Sequence, residues 1–235
     1  MGVVLTNHLS GVAVMFALGP LFGGTLDGPT IGWGAAAGIC GAGAVIALYT
    51  GFSRSTMAVV SPIAAVGAAV WPVLFEVVRG DVPGPVVLAG LAVGVAAIWI
   101  LSSTGRLSEA DDVRAGVLFG MLAGLGFGGL LIFLSLGPDT SGIWSLLPAR
   151  AAGSLTILMV ILVTKRELRP AGGAVLPSVG AGVLVTLGNG FFILGTTHGS
   201  LAVVSVVAAM FPAATGILGM VVGTLAAPMS GLVGV

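Results

Sequence analysis

Residues 115–136 read Ala-Gly-Val-Leu-Phe-Gly-Met-Leu-Ala-Gly-Leu-Gly-Phe-Gly-Gly-Leu-Leu-Ile-Phe-Leu-Ser-Leu, an uncharged run bracketed by Arg114 and by Gly137-Pro138-Asp139. About 20 mostly apolar residues are enough to cross the hydrocarbon core of a bilayer as a helix. Working outward, seven more such runs lie at roughly 3–20, 32–50, 56–78, 84–102, 142–163, 174–196 and 200–222. Between them stand turn-like or charged breaks, such as Arg79-Gly80-Asp81-Val82-Pro83-Gly84 and Thr164-Lys165-Arg166-Glu167-Leu168-Arg169-Pro170. Of the 16 charges (8 Lys+Arg and 8 Asp+Glu), 14 fall in the breaks, Glu76 lies near the end of a run, and Arg150 alone lies well inside one. Charge in hydrocarbon is costly, and its segregation marks the runs as membrane spans. The predicted fold is an all-α polytopic membrane helix bundle of about eight helices, multi-pass in the cell membrane with lipid as its main partner.

Composition agrees. Charged residues make up 7% of the 235 and the mean hydropathy is +1.19, whereas a soluble domain carries about 25% charge. Zero net charge gives no case for nucleic acid. The lone Cys40 closes no intrachain disulfide, and His8 and His198 lie far apart, so no metal site and no cofactor are expected. The first run has no Lys or Arg before it and no small-residue cleavage pattern after it, which predicts a retained helix rather than a cleaved leader. Glycine, 40 of 235, lets membrane helices approach closely, and Gly34-Ala-Ala-Ala-Gly38 and Gly120-Met-Leu-Ala-Gly124 read as small-residue contact faces.

The chain also repeats itself. Met57-Ala58-Val59-Val60-Ser61 is echoed by Leu201-Ala202-Val203-Val204-Ser205 at an offset of 144, and without gaps 13 of 48 positions agree between 31–78 and 175–222. In this register the runs 3–20, 32–50 and 56–78 match 142–163, 174–196 and 200–222, leaving 84–102 and 115–136 without counterparts. A complete unit would have five helices, so the expectation is five plus five with the first and last absent. Repeated halves are a mark of secondary transporters, which bind substrate at the interface between them.

Several stretches carry a family resemblance: Ala47-Leu48-Tyr49-Thr50-Gly51 through Ser55-Thr56-Met57-Ala58-Val59-Val60-Ser61-Pro62, then Ala97-Ile98-Trp99-Ile100-Leu101. In the second half they are Trp144-Ser145-Leu146-Leu147-Pro148-Ala149-Arg150 and Gly199-Ser200-Leu201-Ala202-Val203-Val204 through Phe211-Pro212-Ala213. The chain resembles the drug/metabolite transporter superfamily in its EamA-like branch, whose members have ten helices in two five-helix repeats. It departs after Val222, where the family continues with Gly-Glu and this chain has Gly223-Thr224. The resemblance implies an incomplete first repeat over 1–104, a polar linker at 105–114 and an incomplete second repeat over 115–235. It also implies a secondary transporter or permease for small organic solutes, metabolites or drugs. The alternative is a truncated, non-transporting membrane protein or subunit that needs a partner chain; a homo-oligomer is left open.

Four residues stand out as candidate substrate-binding groups. Arg150 is the charge deep in a span, placed about eight residues and roughly 12 Å along it at 1.5 Å per residue. It can hold an anionic or carbonyl group, or serve structurally by bonding a neighbouring helix end. Asn189 is a polar amide in a glycine-rich helix, and Tyr49 stands at the matching stage of the first half, opposite Ile193 in the repeat register. His8 stands opposite Arg150 in the repeat register if the sixth run is laid over the first by Gly11 and Gly153. Trp33 and Trp144 read as interfacial anchors. Pro62, Pro72, Pro148 and Pro212 fall within spans, where each removes a backbone hydrogen bond and can kink a helix. No nucleophile–base pair, paired carboxylates or phosphate loop appears, so no enzymatic activity is expected. Lys and Arg crowd the breaks after the second, fourth and sixth runs, which places the amino terminus of an eight-span chain in the cytoplasm. The full-length family, with one more helix in front, implies the reverse.

Overall fold

A computed structural model describes residues 1–104, 112–165 and 173–209. These form eight helices and no strand: α1 (Gly2–Leu18), α2 (Gly28–Phe52), α3 (Met57–Val78), α4 (Pro85–Thr104), α5 (Val113–Ser135), α6 (Leu146–Thr164), α7 (Val175–Thr196) and α8 (Leu201–Ala208). Six segments, containing α1, α2, α3, α5, α6 and α7, are long and apolar enough to cross a membrane. The protein is thus an all-α, multi-pass membrane bundle. The eighth run of the sequence begins as α8, and its part beyond 209 lies outside the described residues, as does Pro212.

Local chemistry sets the helix starts. Asp27 caps α2 by accepting from the Thr30 N–H at 2.9 Å, with Pro29 in the first turn. Asp112 caps α5 through the Ala115 N–H at 3.0 Å, and Ser200 caps α8 through the Val203 N–H at 3.3 Å. Inside the helices, hydroxyls are satisfied by carbonyls one turn back: Thr50 donates to Ile46, Ser154 to Arg150 and Thr186 to Gly182, at 2.7, 2.8 and 2.7 Å. This suits a solvent that offers no partners.

Small residues set the packing. Gly67 of α3 and Gly124 of α5 meet backbone to backbone, and a side-chain carbon on either would come within 2.8 Å of the other's α-carbon. Gly34 and Gly38 admit the start of α6, the first against the Ser145 carbonyl and Pro148, the second against the Ala149 carbonyl. Both small-residue runs of the sequence are therefore contact faces. α5 packs between α2 and α3; α2 continues onto α6; α1 lies against α6 and α7; and α3 carries α4 and α8 on its flank. Leu155, Met159, Leu184 and Phe191 point outward as a wide apolar surface, which a bilayer covers.

Two hydrogen bonds define the ends. Thr25 N–H donates to the Thr140 carbonyl at 2.9 Å, joining the connections α1–α2 and α5–α6. At the opposite end Asp112 N–H donates to the Arg54 carbonyl at 3.3 Å, joining α2–α3 to the start of α5. The first end carries Asp27, Glu76, Arg79, Asp81 and Asp139, and the second Arg54, Asp112, Arg114 and Lys165 among its described residues.

Three expectations are corrected. The run beginning at 142 does not start as an α-helix: 139–145 form a 3-10 segment bent at Gly142 (φ 51°, ψ −130°), and α6 begins at Leu146. Arg150 is therefore one turn into α6, not eight residues into a helix. For the same reason Pro148 sits in the first turn, where a missing N–H costs nothing, and it does not kink the helix; Pro62 and Pro72 are interior to α3. Trp144 is no free interfacial anchor, since its ring braces the turn after α1 against Gly19 and Gly24, while Trp33 stacks on Phe133 at 5.9 Å.

Candidate functional site

α1 and α6 run antiparallel and cross through a reciprocal pair of notches. Each helix carries a polar residue followed three positions later by glycine: His8 and Gly11 on α1, Arg150 and Gly153 on α6. Residues three apart share a helix face. A side-chain carbon on Gly153 would lie 2.5 Å from His8 Cδ2 and 2.7 Å from Nε2; one on Gly11 would lie 2.7 Å from Arg150 Cδ and 2.9 Å from Nε. Each polar side chain thus lies across the other helix's glycine. His8 and Arg150, counterparts in the repeat register, are thus brought side by side, which an alignment of the two runs does not itself predict.

α7 supplies the third wall. It runs parallel to α1, with Gly182 against Ser10 and the Asn7 carbonyl, and Ser10 Oγ donating to the Val179 carbonyl at 3.4 Å. One turn on, Thr186 Oγ1 lies 2.6 Å from that same point above Gly11, beside Arg150 Nε. Because Thr186 already donates to Gly182, its oxygen is left as an acceptor.

The electrostatics are unbalanced. Arg150 is 5% exposed, and its Nη2 has no hydrogen-bond partner. Among the described residues the carboxylates Asp27, Glu76, Asp81, Asp112 and Asp139 stand at the bundle ends, and none pairs with it. A guanidinium brings five N–H donors and a permanent charge. Burying such a charge without a counter-ion costs several kcal/mol, roughly, even after relaxation. His8, also buried, offers no negative charge; its Nδ1 donates to the Val4 carbonyl at 3.0 Å, leaving Nε2 as the acceptor of the neutral ring. The chemistry available is that of a buried cation with an unused donor, Arg150 Nη2, beside two acceptors, Thr186 Oγ1 and His8 Nε2.

The other candidates are not brought to this point. Asn189 is half-buried on α7, three residues beyond Thr186 and next to Gly190. Tyr49 is 51% exposed on α2, edge-on to Phe52 at 6.0 Å, on the outside of the bundle. Thr186 is the residue that the sequence reading missed. Its signal is the spacing Gly182, Thr186, Gly190, which puts two glycines and one hydroxyl on a single stripe.

Beside the crossing a shallow apolar groove opens between α1 and α7, lined by Val14, Leu18, Phe22, Thr186, Leu187, Phe191 and their neighbours. Its volume of about 50 Å³ is well below the roughly 300–1,000 Å³ of enclosed pockets for drug-sized ligands. Among the described residues no three His, Cys, Asp or Glu side chains gather as a metal site. No protein-family model, curated protein or solved structure matches the chain.

Proposed function

We propose that this membrane bundle is a permease-like secondary transporter for small organic solutes bearing an anionic group, bound at Arg150 where α1, α6 and α7 meet. The observation that carries this reading is the buried guanidinium left without a partner at the crossing of two helices. Ionisable groups inside membrane spans are costly and mark solute or ion pathways, and an incoming anion would supply the missing charge.

The packing supports the reading of two related halves of EamA-like type. Gly38 of α2 meets the Ala149 carbonyl of α6, and Gly182 of α7 meets the Asn7 carbonyl of α1. The glycines are separated by the repeat offset (182 − 38 = 144), and their partners by nearly the same number (149 − 7 = 142). The two contacts are equivalent by position and by chemistry, as an inverted duplication requires. Arg150 and His8 then face each other across the junction of the halves.

The test is transport. The protein is reconstituted in liposomes and assayed for uptake and efflux of small organic acids, beside an Arg150→Gln variant. Uptake that Arg150→Gln removes is the expected result. No flux of any organic acid, amino acid or nucleoside by the wild-type protein would overturn the proposal.

A further inference from the structure

Resting on the anion site proposed above, we infer that its ligand is a monocarboxylate with an apolar tail, the head on Arg150 and the tail in the groove between α1 and α7. Thr186 links the two parts: it faces Arg150 across Gly11 and also forms the inner end of the groove. From there the groove follows the parallel helices outward, from Thr186 to Leu194 on α7 and from Val14 to Leu18 and Phe22 on the α1 side. Eight residues of helix at about 1.5 Å each give roughly 12 Å, a length that suits an extended medium-chain alkyl group. Apart from Thr186 the lining is apolar, with no charged side chain in it. A cation or a polar tail finds no partner there.

The head is specified by the guanidinium. Its planar fork of donors matches a carboxylate in two parallel hydrogen bonds, and its buried Nη2 is free to make one of them. Thr186 Oγ1, already a donor to Gly182, adds no second positive group, so a single negative charge balances the site. The groove is shallow, so the tail keeps one side against lipid acyl chains. A phospholipid is the poorer occupant, because it brings two acyl chains to a groove of about 50 Å³.

The experiment measures binding of radiolabelled octanoate and acetate to the full chain, and to its Arg150→Gln variant, in zwitterionic nanodiscs, with protein-free discs as the partition background. Octanoate is expected to bind at least tenfold more tightly than acetate, and octylammonium not to compete. Arg150→Gln removes the binding, and Gly190→Leu collapses the preference for octanoate, because the new side chain starts in ordinary contact with Leu146, 3.8 Å away, and occupies the groove that Gly190 lines. Equal binding of acetate and octanoate, with Gly190→Leu changing nothing, overturns the tail while Arg150 as an anion site survives. Equal retention of octanoate by wild-type and Arg150→Gln discs overturns the head as well. Displacement of octanoate by phosphatidylglycerol assigns the site to a lipid headgroup and overturns the inference. Arg150-dependent binding with no flux in liposomes leaves the inference standing and removes the transport reading.

Discussion

Exchanging Arg150 for methionine removes one charge and keeps a flexible stem of similar reach, so the notch over Gly11 stays filled. In the folded bundle the guanidinium is 5% exposed with Nη2 unpartnered, while in the separated helix the same side chain is free to snorkel toward the interface. Folding without ligand therefore traps a charge that the unfolded chain can solvate. Replacing a buried ion pair by hydrophobic residues of similar volume is often stabilising by about 1–4 kcal/mol, and a charge buried with no partner is the costlier case. Allowing for the lost packing of the guanidinium beyond Nε leaves a net gain of about 1–3 kcal/mol. At about 2–4 °C per kcal/mol for a chain of this size, Arg150→Met melts about 2–12 °C above wild type in detergent without ligand. The assay is a thermal melt of purified protein with and without octanoate. Ligand raises the wild-type midpoint through mass action and leaves that of Arg150→Met unchanged. A variant that melts several degrees below wild type refutes the reasoning, because the arginine would then be holding the fold together through a partner of its own.

Three further outcomes follow from the packing and the ends. Gly38→Ala and Gly182→Ala each drive a methyl into a carbonyl, of Ala149 and Asn7, and each should lower stability by about 1–3 kcal/mol; Gly43→Ala and Gly188→Ala, with open space around them, should not, as melting curves of the four will tell. Thr30, through its nearby hydroxyl and then its backbone N–H, holds the Asp27 carboxyl below its ordinary range. The stabilisation it brings is complete above that ordinary range and is lost as pH falls through the lowered value; Asp27→Ala should therefore melt below wild type at neutral pH and converge with it in acid, while Asp27→Asn, also a good cap, loses little at neutral pH. Cys40, half-buried in α2 against Gly129, should resist a membrane-impermeant maleimide in intact vesicles. In a Cys40→Ser background, cysteines at Ser53 and Gly80 should label from opposite faces, and labelling of both from one face would contradict the order of spans.

The spans were legible because charge is expelled from hydrocarbon, a constraint that every residue of a run must obey. Helix starts were not, and α6 shows why: Ile143, Leu146 and Leu147 continue the apolar run without a break, while the bend comes from a positive φ at Gly142, which hydropathy does not register. That His8 and Arg150 are counterparts was readable, because each precedes a glycine by three positions; that they meet was not, because it depends on how α1 and α6 cross. Thr186 was unreadable as a single hydroxyl in Val-Leu-Val-Thr-Leu-Gly-Asn-Gly; its place depends on how α7 is registered against α1, which is a tertiary fact. Tyr49 shows the limit of arguing from repeats. Its counterpart Ile193 is buried, whereas Tyr49 looks outward, because equivalent positions keep their backbone place and not their neighbours.

The interlocked α1–α6 crossing restricts how these two helices can move. A slide of one past the other by a helical turn would lift His8 off Gly153 and Arg150 off Gly11 together, driving both bulky side chains onto backbone that has no room for them. Rolling about the crossing point keeps both engaged. The junction behaves like a pivot with a detent, so any relative motion of α1 and α6 has to be a tilt centred on the two glycines.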